Sequence, residues 1–243
     1  MNPQLILALQ LLLAHVITDF VLQSGTLIEQ KRLKKAKAPF LYLHAFLAGG
    51  ITYLLLQDWS LWYVALIISV THFFIDLWKL HQGEDSLAYF IIDQLLHLFV
   101  LLLIWLWLTA SFSKVLPFID TFFTSTNVLV VLIGYLIVIY PVGFLIGKAT
   151  QRWQEEIAKE GERTSLEKAG RYIGIFERIL VLTFILSDNF SAIGFLIAAK
   201  SILRFSDKNK SGARKQTEYV LIGTLMSFAL TIIIGFLMRV LVF

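Results

Sequence analysis

Histidine and aspartate recur in this sequence at one spacing. Three pairs stand four residues apart: His15 with Asp19, His72 with Asp76, and Asp93 with His97. On an α-helix, residues four apart project from the same face. Imidazole and carboxylate groups brought together in this way can bind a transition metal, relay protons or hydrogen-bond to each other. The spacing therefore predicts three helices with chemically capable faces.

The helices that must carry these pairs are strongly apolar. Of 243 residues, 58% are hydrophobic and 16% are charged, and the mean hydropathy is +0.76. A soluble domain of this length is far more polar. The composition predicts an integral membrane protein of the all-α class, a polytopic transmembrane helix bundle. The chain has no cysteine, which excludes disulfides, thiolate nucleophiles and cysteine metal ligands.

Apolar runs long enough to cross roughly 30 Å of hydrocarbon predict about eight spans. They fall near residues 4–22, 40–57, 60–79, 88–110, 127–147, 172–187, 190–204 and 218–242. The sixth and seventh are short, and we expect them to form a partly re-entrant hairpin. Alternating the spans places most of the 21 Lys and Arg residues on one side. The positive-inside rule makes that side cytoplasmic and both termini external, in the inner membrane of a cell.

This topology divides the chain into modules. Residues 1–110 form a four-span module rich in His and Asp, and residues 111–127 form an outer loop. Residues 128–243 form a second four-span module, with a charged cytoplasmic segment at 148–171. The basic pI near 9.2 follows from the cytoplasmic loops, so nucleic-acid binding need not be invoked.

Span direction brings the His and Asp residues to common depths. The order is His then Asp in the inward spans one and three, and Asp then His in the outward span four. Helical rise therefore predicts one layer of carboxylates and one of imidazoles. The carboxylate layer holds Asp19, Asp76, Asp93 and the ring of His44, and the next layer holds His15, His72 and His97.

Buried carboxylates need a compensating charge. An Asp costs about 2.5 to 3.5 kcal/mol at the centre of the bilayer, and less near its surface. A metal ion bound by these seven groups would supply that charge. Mixed nitrogen and oxygen ligands favour a divalent transition metal (Zn, Mn or Fe), and the number of groups leaves room for one or two ions. A proton or ion pathway and a purely structural polar network are the alternatives.

Four motifs in the first 110 residues resemble a known family. AHVITDFVLQ, the LH of YLHAF, THFFIDLWK and FIIDQLLH are similar to the signature of the bacterial integral membrane family called domain of unknown function 3307. The resemblance implies membrane residence and shared polar positions. The His-x-x-x-Asp pattern also resembles membrane-bound metal-dependent hydrolases, which are similar in pattern to zinc phospholipase C. The chain differs from those secreted phosphoesterases in lacking an N-terminal residue near the site.

A second polar group lies in the C-terminal module. It comprises Glu177, Arg178, Lys200 and Arg204, all in the inward portions of predicted spans. These residues either form an anion clamp for a phosphate group or serve structure, with Glu177 pairing with Lys200 and Arg204 reaching the membrane surface. Lys79, one turn beyond Asp76, either steers an anionic head group or anchors its helix at the interface.

Two function classes follow from these residues. The first is a metal-dependent hydrolase, such as a phosphoesterase, acting on a lipid-linked or amphiphilic substrate at the cytoplasmic face. Its catalytic carboxylates would be Asp19, Asp76 and Asp93, and its substrate-binding residues Lys79 and the C-terminal group. The second is a transporter of a divalent cation or protons. A non-catalytic subunit of a membrane assembly is a third possibility.

Overall fold

The computed structural model describes residues 2–82, 86–159, 167–205 and 213–242. Within these ranges the chain is helical and contains no strand, as the all-α prediction requires. The helices are α1 Pro3–Val16, α2 Gly25–Lys34, α3 Pro39–Leu56, α4 Trp62–Leu80, α5 Leu87–Leu108, α6 Val115–Thr124, α7 Thr126–Ile139, α8 Pro141–Lys159, α9 Glu167–Leu186, α10 Phe190–Phe205 and α11 Ala213–Val242. A π-helical turn, Ile17–Val21, continues α1.

Six helical stretches in the described ranges are long and apolar enough to cross a membrane. They are Pro3–Val21, Pro39–Leu56, Trp59–Leu80, Leu87–Leu108, Thr126–Trp153 and Glu218–Val242. They coincide with the predicted spans one to five and eight, and they indicate a multi-pass membrane protein. The predicted sixth and seventh spans correspond to α9 and α10, of which α10 contains a shorter apolar helix, Phe190–Ile202.

The chain forms two compact units, Met1–Pro117 and Phe118–Phe243. The boundary lies inside the predicted outer loop 111–127, most of which is the helix α6. Part of the predicted cytoplasmic segment 148–171, residues 160–166, lies outside the described ranges.

Local signals in the sequence start the helices of the first unit. The side chain of Asn2 accepts a hydrogen bond from the backbone of Gln4 at 3.0 Å and so caps α1. Pro39 occupies the first turn of α3, where its missing N–H costs nothing. Ser86 caps α5 by accepting a hydrogen bond from the Tyr89 N–H at 3.3 Å. Three of the four helices that carry the His and Asp residues therefore begin at a local sequence signal.

Gly49 lets α3 and α4 cross closely. A Cβ atom at this position would lie 2.1 Å from the Ser69 Oγ and 2.3 Å from the Ala65 carbonyl oxygen. Only glycine fits such a contact. The close crossing brings His44 on α3 against His72 on α4, whose rings lie 4.8 Å apart.

An apolar core lies directly beside the polar residues of this unit. Its buried members are Leu11, Ala48, Leu56, Val64, Ile68 and Ile104. Three of them stand four residues from a histidine on the same helix, so each apolar side chain lies one turn from a ring. This core closes one end of the polar cluster against water.

In the second unit, Arg178 donates hydrogen bonds to backbone carbonyls at the point where one helix ends and the next begins. Pro141 cannot donate a backbone hydrogen bond, so α7 ends and α8 begins beside it. The buried Arg178 guanidinium on α9 donates to the carbonyl oxygens of Val138 and, at 3.3 Å, Ile139. Gly143 leaves room for it, since a Cβ there would lie 2.9 Å from a guanidinium nitrogen. Arg178 therefore binds two carbonyls of the last turn of α7, where the helix ends.

Candidate metal centre

Four helices of the first unit converge on one buried His/Asp cluster. Its seven members are His15 and Asp19 from α1 and its π-helical turn, His44 from α3, His72 and Asp76 from α4, and Asp93 and His97 from α5. In the π-helical turn the Leu22 N–H donates to the Ile17 carbonyl at 3.0 Å, five residues back. Such turns rotate the side chains that follow and often occur at functional sites. Here the turn carries Asp19.

Asp19, His44 and His72 form the tightest group, which we call the first site. The Asp19 Oδ1 lies 3.2 Å from the His72 Nε2 and 3.4 Å from the His44 Nε2. The two Nε2 atoms lie 3.1 Å apart. Ligand atoms about 2.0 to 2.1 Å from a tetrahedral zinc ion lie about 3.3 to 3.4 Å from one another. The three edges of this group are within a few tenths of an ångström of those values.

Asp76, Asp93 and His97 form a looser group, the second site. The His97 Nε2 lies 3.7 Å from the Asp76 Oδ1 and 3.7 Å from the Asp93 Oδ1. The candidate ligand atoms of this group all lie within 4.8 Å of one another, as do those of the first site. Two carboxylates and one imidazole form a harder donor set than the two imidazoles and one carboxylate of the first site.

In each carboxylate of the second site, one oxygen accepts a hydrogen bond from a residue outside the cluster. The Lys31 Nζ donates to the Asp76 Oδ2 at 2.6 Å. The Lys79 Nζ donates to the Asp93 Oδ2 at 2.7 Å, and the Gln94 amide donates to the same oxygen at 3.1 Å. The Oδ1 atoms are left facing His97. These outer contacts orient the carboxylates in the way that outer-shell residues orient metal ligands.

Several inward-facing atoms lack a hydrogen-bond partner although they are buried. They include the Asp19 Oδ1, the Asp93 Oδ1 and the His97 Nε2. A buried acceptor without a partner costs about 1 to 3 kcal/mol, and more when it is charged. A cation at the two sites would satisfy these atoms, so the side chains fit a metal ion.

Residues 6–126 match the family model described as "Protein of unknown function (DUF3307)". This segment is a DUF3307 domain. The resemblance drawn from the four sequence motifs is therefore confirmed, and the whole His/Asp cluster lies inside the matched segment. No curated protein and no solved structure matches the chain.

A third grouping of the DUF3307 domain consists of imidazoles alone. His15, His72 and His97 could also hold an ion, but they share His72 with the first site and His97 with the second. These three rings line a small cavity of about 20 Å³, which is large enough for one water molecule. The His15 Nε2 lies 3.2 Å from the Gln94 Oε1, a contact that fixes the ring.

The two ends of the cluster differ in character. Beyond the imidazoles lies the apolar core of the DUF3307 domain. Beyond the carboxylates lie Lys31 and Lys79, whose side chains are 5% and 30% exposed. A polar ligand would therefore approach from the lysine end, where the Lys79 side chain is partly exposed.

Two members of this arrangement were not singled out by the sequence analysis. Lys31 lies between the first two predicted spans, where the sequence predicts a cytoplasmic loop, yet it is buried and paired with Asp76. Gln94 is uncharged, yet it contacts His15, Asp93 and, at 3.4 Å, the Asp19 Oδ2. A signal for Gln94 was available, because it stands three residues before His97 and so lies near it on α5.

The predicted substrate-binding residues of the C-terminal group lie in the second unit. The Lys200 Nζ donates to the Glu177 Oε2 at 2.6 Å, as the structural interpretation of the pair expects. Arg178 binds backbone carbonyls as described above. The side chain of Arg204 lies outside the described part of the chain.

Proposed function

We propose that the DUF3307 domain is a metal-dependent hydrolase that cleaves a phosphate ester of a lipid-linked or amphiphilic substrate at the cytoplasmic face of the membrane. The observation that carries the proposal is the geometry of the first site, whose three ligand atoms lie 3.1 to 3.4 Å apart. Catalytic zinc sites use three protein ligands and leave one position for water or substrate, whereas structural sites use four.

Asp76 is the best-placed base for the reaction. Its Oδ2 lies 3.7 Å from the His44 Nε2, next to the first site. The Lys31 ammonium donates a hydrogen bond to this oxygen at 2.6 Å. The oxygen is therefore better suited to act as a base beside the ion than to be its fourth ligand. An ion in the first site would lower the pKa of a bound water toward about 7. Asp76 would take the proton of the attacking water, and the ester would yield an alcohol and phosphate.

The substrate class follows from the charge and setting of the site. The cluster lies among helices apolar enough to span a membrane, which favours a substrate that partitions into the membrane. Its open end carries lysine, and the exposed residues Lys34, Lys35 and Lys37 follow in the connection to α3. Clustered lysines attract phosphate groups. We also infer that α9 and α10 enter the membrane as a short hairpin, which would complete eight spans.

The orientation of the DUF3307 domain can be checked by cysteine labelling, since the native chain has no cysteine. A single cysteine at Lys34, on the basic connection, should resist a membrane-impermeant thiol reagent in intact cells. A single cysteine at the exposed Ser113, beyond the far end of α5, should react. Labelling of the Lys34 position from outside would place the lysine end of the site on the external face and contradict the proposal.

The activity is tested with purified full-length protein in detergent. A long-chain alkyl monophosphate, an alkyl diphosphate and a dialkyl phosphate diester serve as probes, each with added Zn, Mn or Fe. We expect release of phosphate or of the alcohol from at least one probe, loss of activity with a chelator, and recovery when the metal is returned. Metal-loaded protein that cleaves none of the three probes would count against a phosphoesterase.

A further inference from the structure

We infer that the centre takes a second divalent ion, held by Asp76, Asp93 and His97, and that this ion displaces Lys79 from Asp93. The inference rests on the proposed function and deepens it, because two ions define the substrate more narrowly than one. The Lys79 ammonium group occupies the second site until the ion displaces it.

The second site has ligand atoms that point inward and lack hydrogen bonds. The Asp93 side chain is 2% exposed and its Oδ1 has no partner, and the same holds for the His97 Nε2, whose side chain is 4% exposed. These two atoms lie 3.7 Å apart, and the Asp76 Oδ1 lies at the same distance from the ring nitrogen. Ligand shifts of a few tenths of an ångström would give the spacing of a bound transition metal.

Charge explains why an ammonium group must leave. The three carboxylates of the cluster face two lysines, so with neutral imidazoles the group carries one net negative charge. One divalent ion already reverses that sign. A second ion would add two charges in a poorly screened interior, where bringing like charges close together is costly. Release of one lysine lowers this cost.

Lys79 is the lysine that can leave. Its side chain is 30% exposed, whereas that of Lys31 is 5% exposed. Lys79 can therefore turn its ammonium group into water while its stem stays on the protein, as long cationic side chains do at membrane surfaces. Lys31 would have to lose its partner inside the bundle, which is far more costly.

Asp76 links the two sites. Its Oδ2 lies 3.7 Å from the His44 Nε2 of the first site, and its Oδ1 lies 3.7 Å from the His97 Nε2 of the second. The Oδ1 would therefore bind the second ion, while the Oδ2, which accepts a hydrogen bond from Lys31 at 2.6 Å, would remain the base beside the first site. Paired ions about 3.5 to 4 Å apart stabilise the attacking and leaving oxygens of an in-line displacement at phosphorus. The pair therefore favours a phosphate ester over a carboxylic ester as the substrate.

The experiment counts ions in the full-length protein. Chelator-stripped protein in detergent is titrated first with Zn²⁺ and then with Mn²⁺, and bound metal is measured by mass spectrometry and by the electron paramagnetic resonance of Mn²⁺. We expect two equivalents in the native chain. Asp93→Asn should keep the first equivalent and lose the second. Lys79→Met should bind the second ion about tenfold more tightly, because no ammonium group competes for Asp93.

Lys114→Met, which removes an exposed lysine of the same unit, is the matched control and should bind both ions as the native chain does. Saturation of the native chain at one equivalent would overturn the second site and leave the proposed function standing. Two equivalents with an unchanged second affinity in Lys79→Met would overturn the displacement. Protein that binds no metal at all would overturn the proposed function as well.

Discussion

The His72→Ala protein should bind zinc at least about a hundredfold more weakly than the native chain. The His72 Nε2 lies 3.2 Å from the Asp19 Oδ1 and 3.1 Å from the His44 Nε2, so its loss opens the first site. His72 is also shared by two of the three candidate groupings in the described residues. Zinc affinity is measured by competition with a chromophoric chelator on purified protein.

His81→Ala is the matched control for this experiment. His81 follows α4, the helix that carries His72, but it is exposed, and its ring contacts the Leu77 carbonyl at 2.7 Å. It should bind zinc as the native chain does. His44→Ala should reproduce the loss seen with His72→Ala, and size-exclusion chromatography in detergent shows whether each variant is folded. Native affinity in both folded ligand variants would exclude the first site.

The Asp76→Asn protein should turn over its substrate at least about a hundredfold more slowly while keeping zinc in the first site. Asparagine preserves the shape of the side chain but cannot take the proton of water. Turnover is measured with the phosphorylated amphiphile that the native protein cleaves best, and bound zinc is measured in the same sample. Asp120→Asn, an exposed position on α6, should leave turnover unchanged.

The Asp76 substitution also leaves Lys31 buried without its partner. The double variant Lys31→Met with Asp76→Asn removes that stranded charge. It should remain as slow as the single variant, although more stable to heat. Native turnover in the double variant would show that Asp76 is not the base. Metal-dependent flux of a cation or protons into proteoliposomes, lost in Asp76→Asn and without hydrolysis, would favour the transporter.

Much of the cluster could be predicted from the sequence because its signal is local. Residues four apart share a helical face whatever the tertiary structure, so the pairs on α1, α4 and α5 were visible as spacing. Apolar flanks made the same segments candidate membrane spans, and the six found in the described residues agree with six of the eight predicted. Reversed order in span four indicated that the pairs meet, and the three carboxylates do converge with the histidines.

The features that the sequence did not reveal depend on tertiary contacts. Lys31 lies in a short polar helix between two spans, and only the fold turns its side chain toward Asp76. The π-helical turn that carries Asp19 was also not predicted, because apolar periodicity does not distinguish it from an ordinary helical turn. The sequence left the role of Arg178 open between an anion clamp and a structural one, because its contacts with carbonyl oxygens depend on the break at Pro141, on a different helix.

The central claim is that Asp19, His44 and His72 hold a metal ion. X-ray absorption spectroscopy at the zinc edge of purified, zinc-loaded protein tests it most directly. We predict about four light-atom ligands at about 2.0 to 2.1 Å, with the outer scattering of two imidazole rings. His72→Ala protein, loaded at high zinc concentration, should show one ring fewer. Protein that takes up no zinc, or a spectrum with oxygen ligands and no imidazole, would contradict the account.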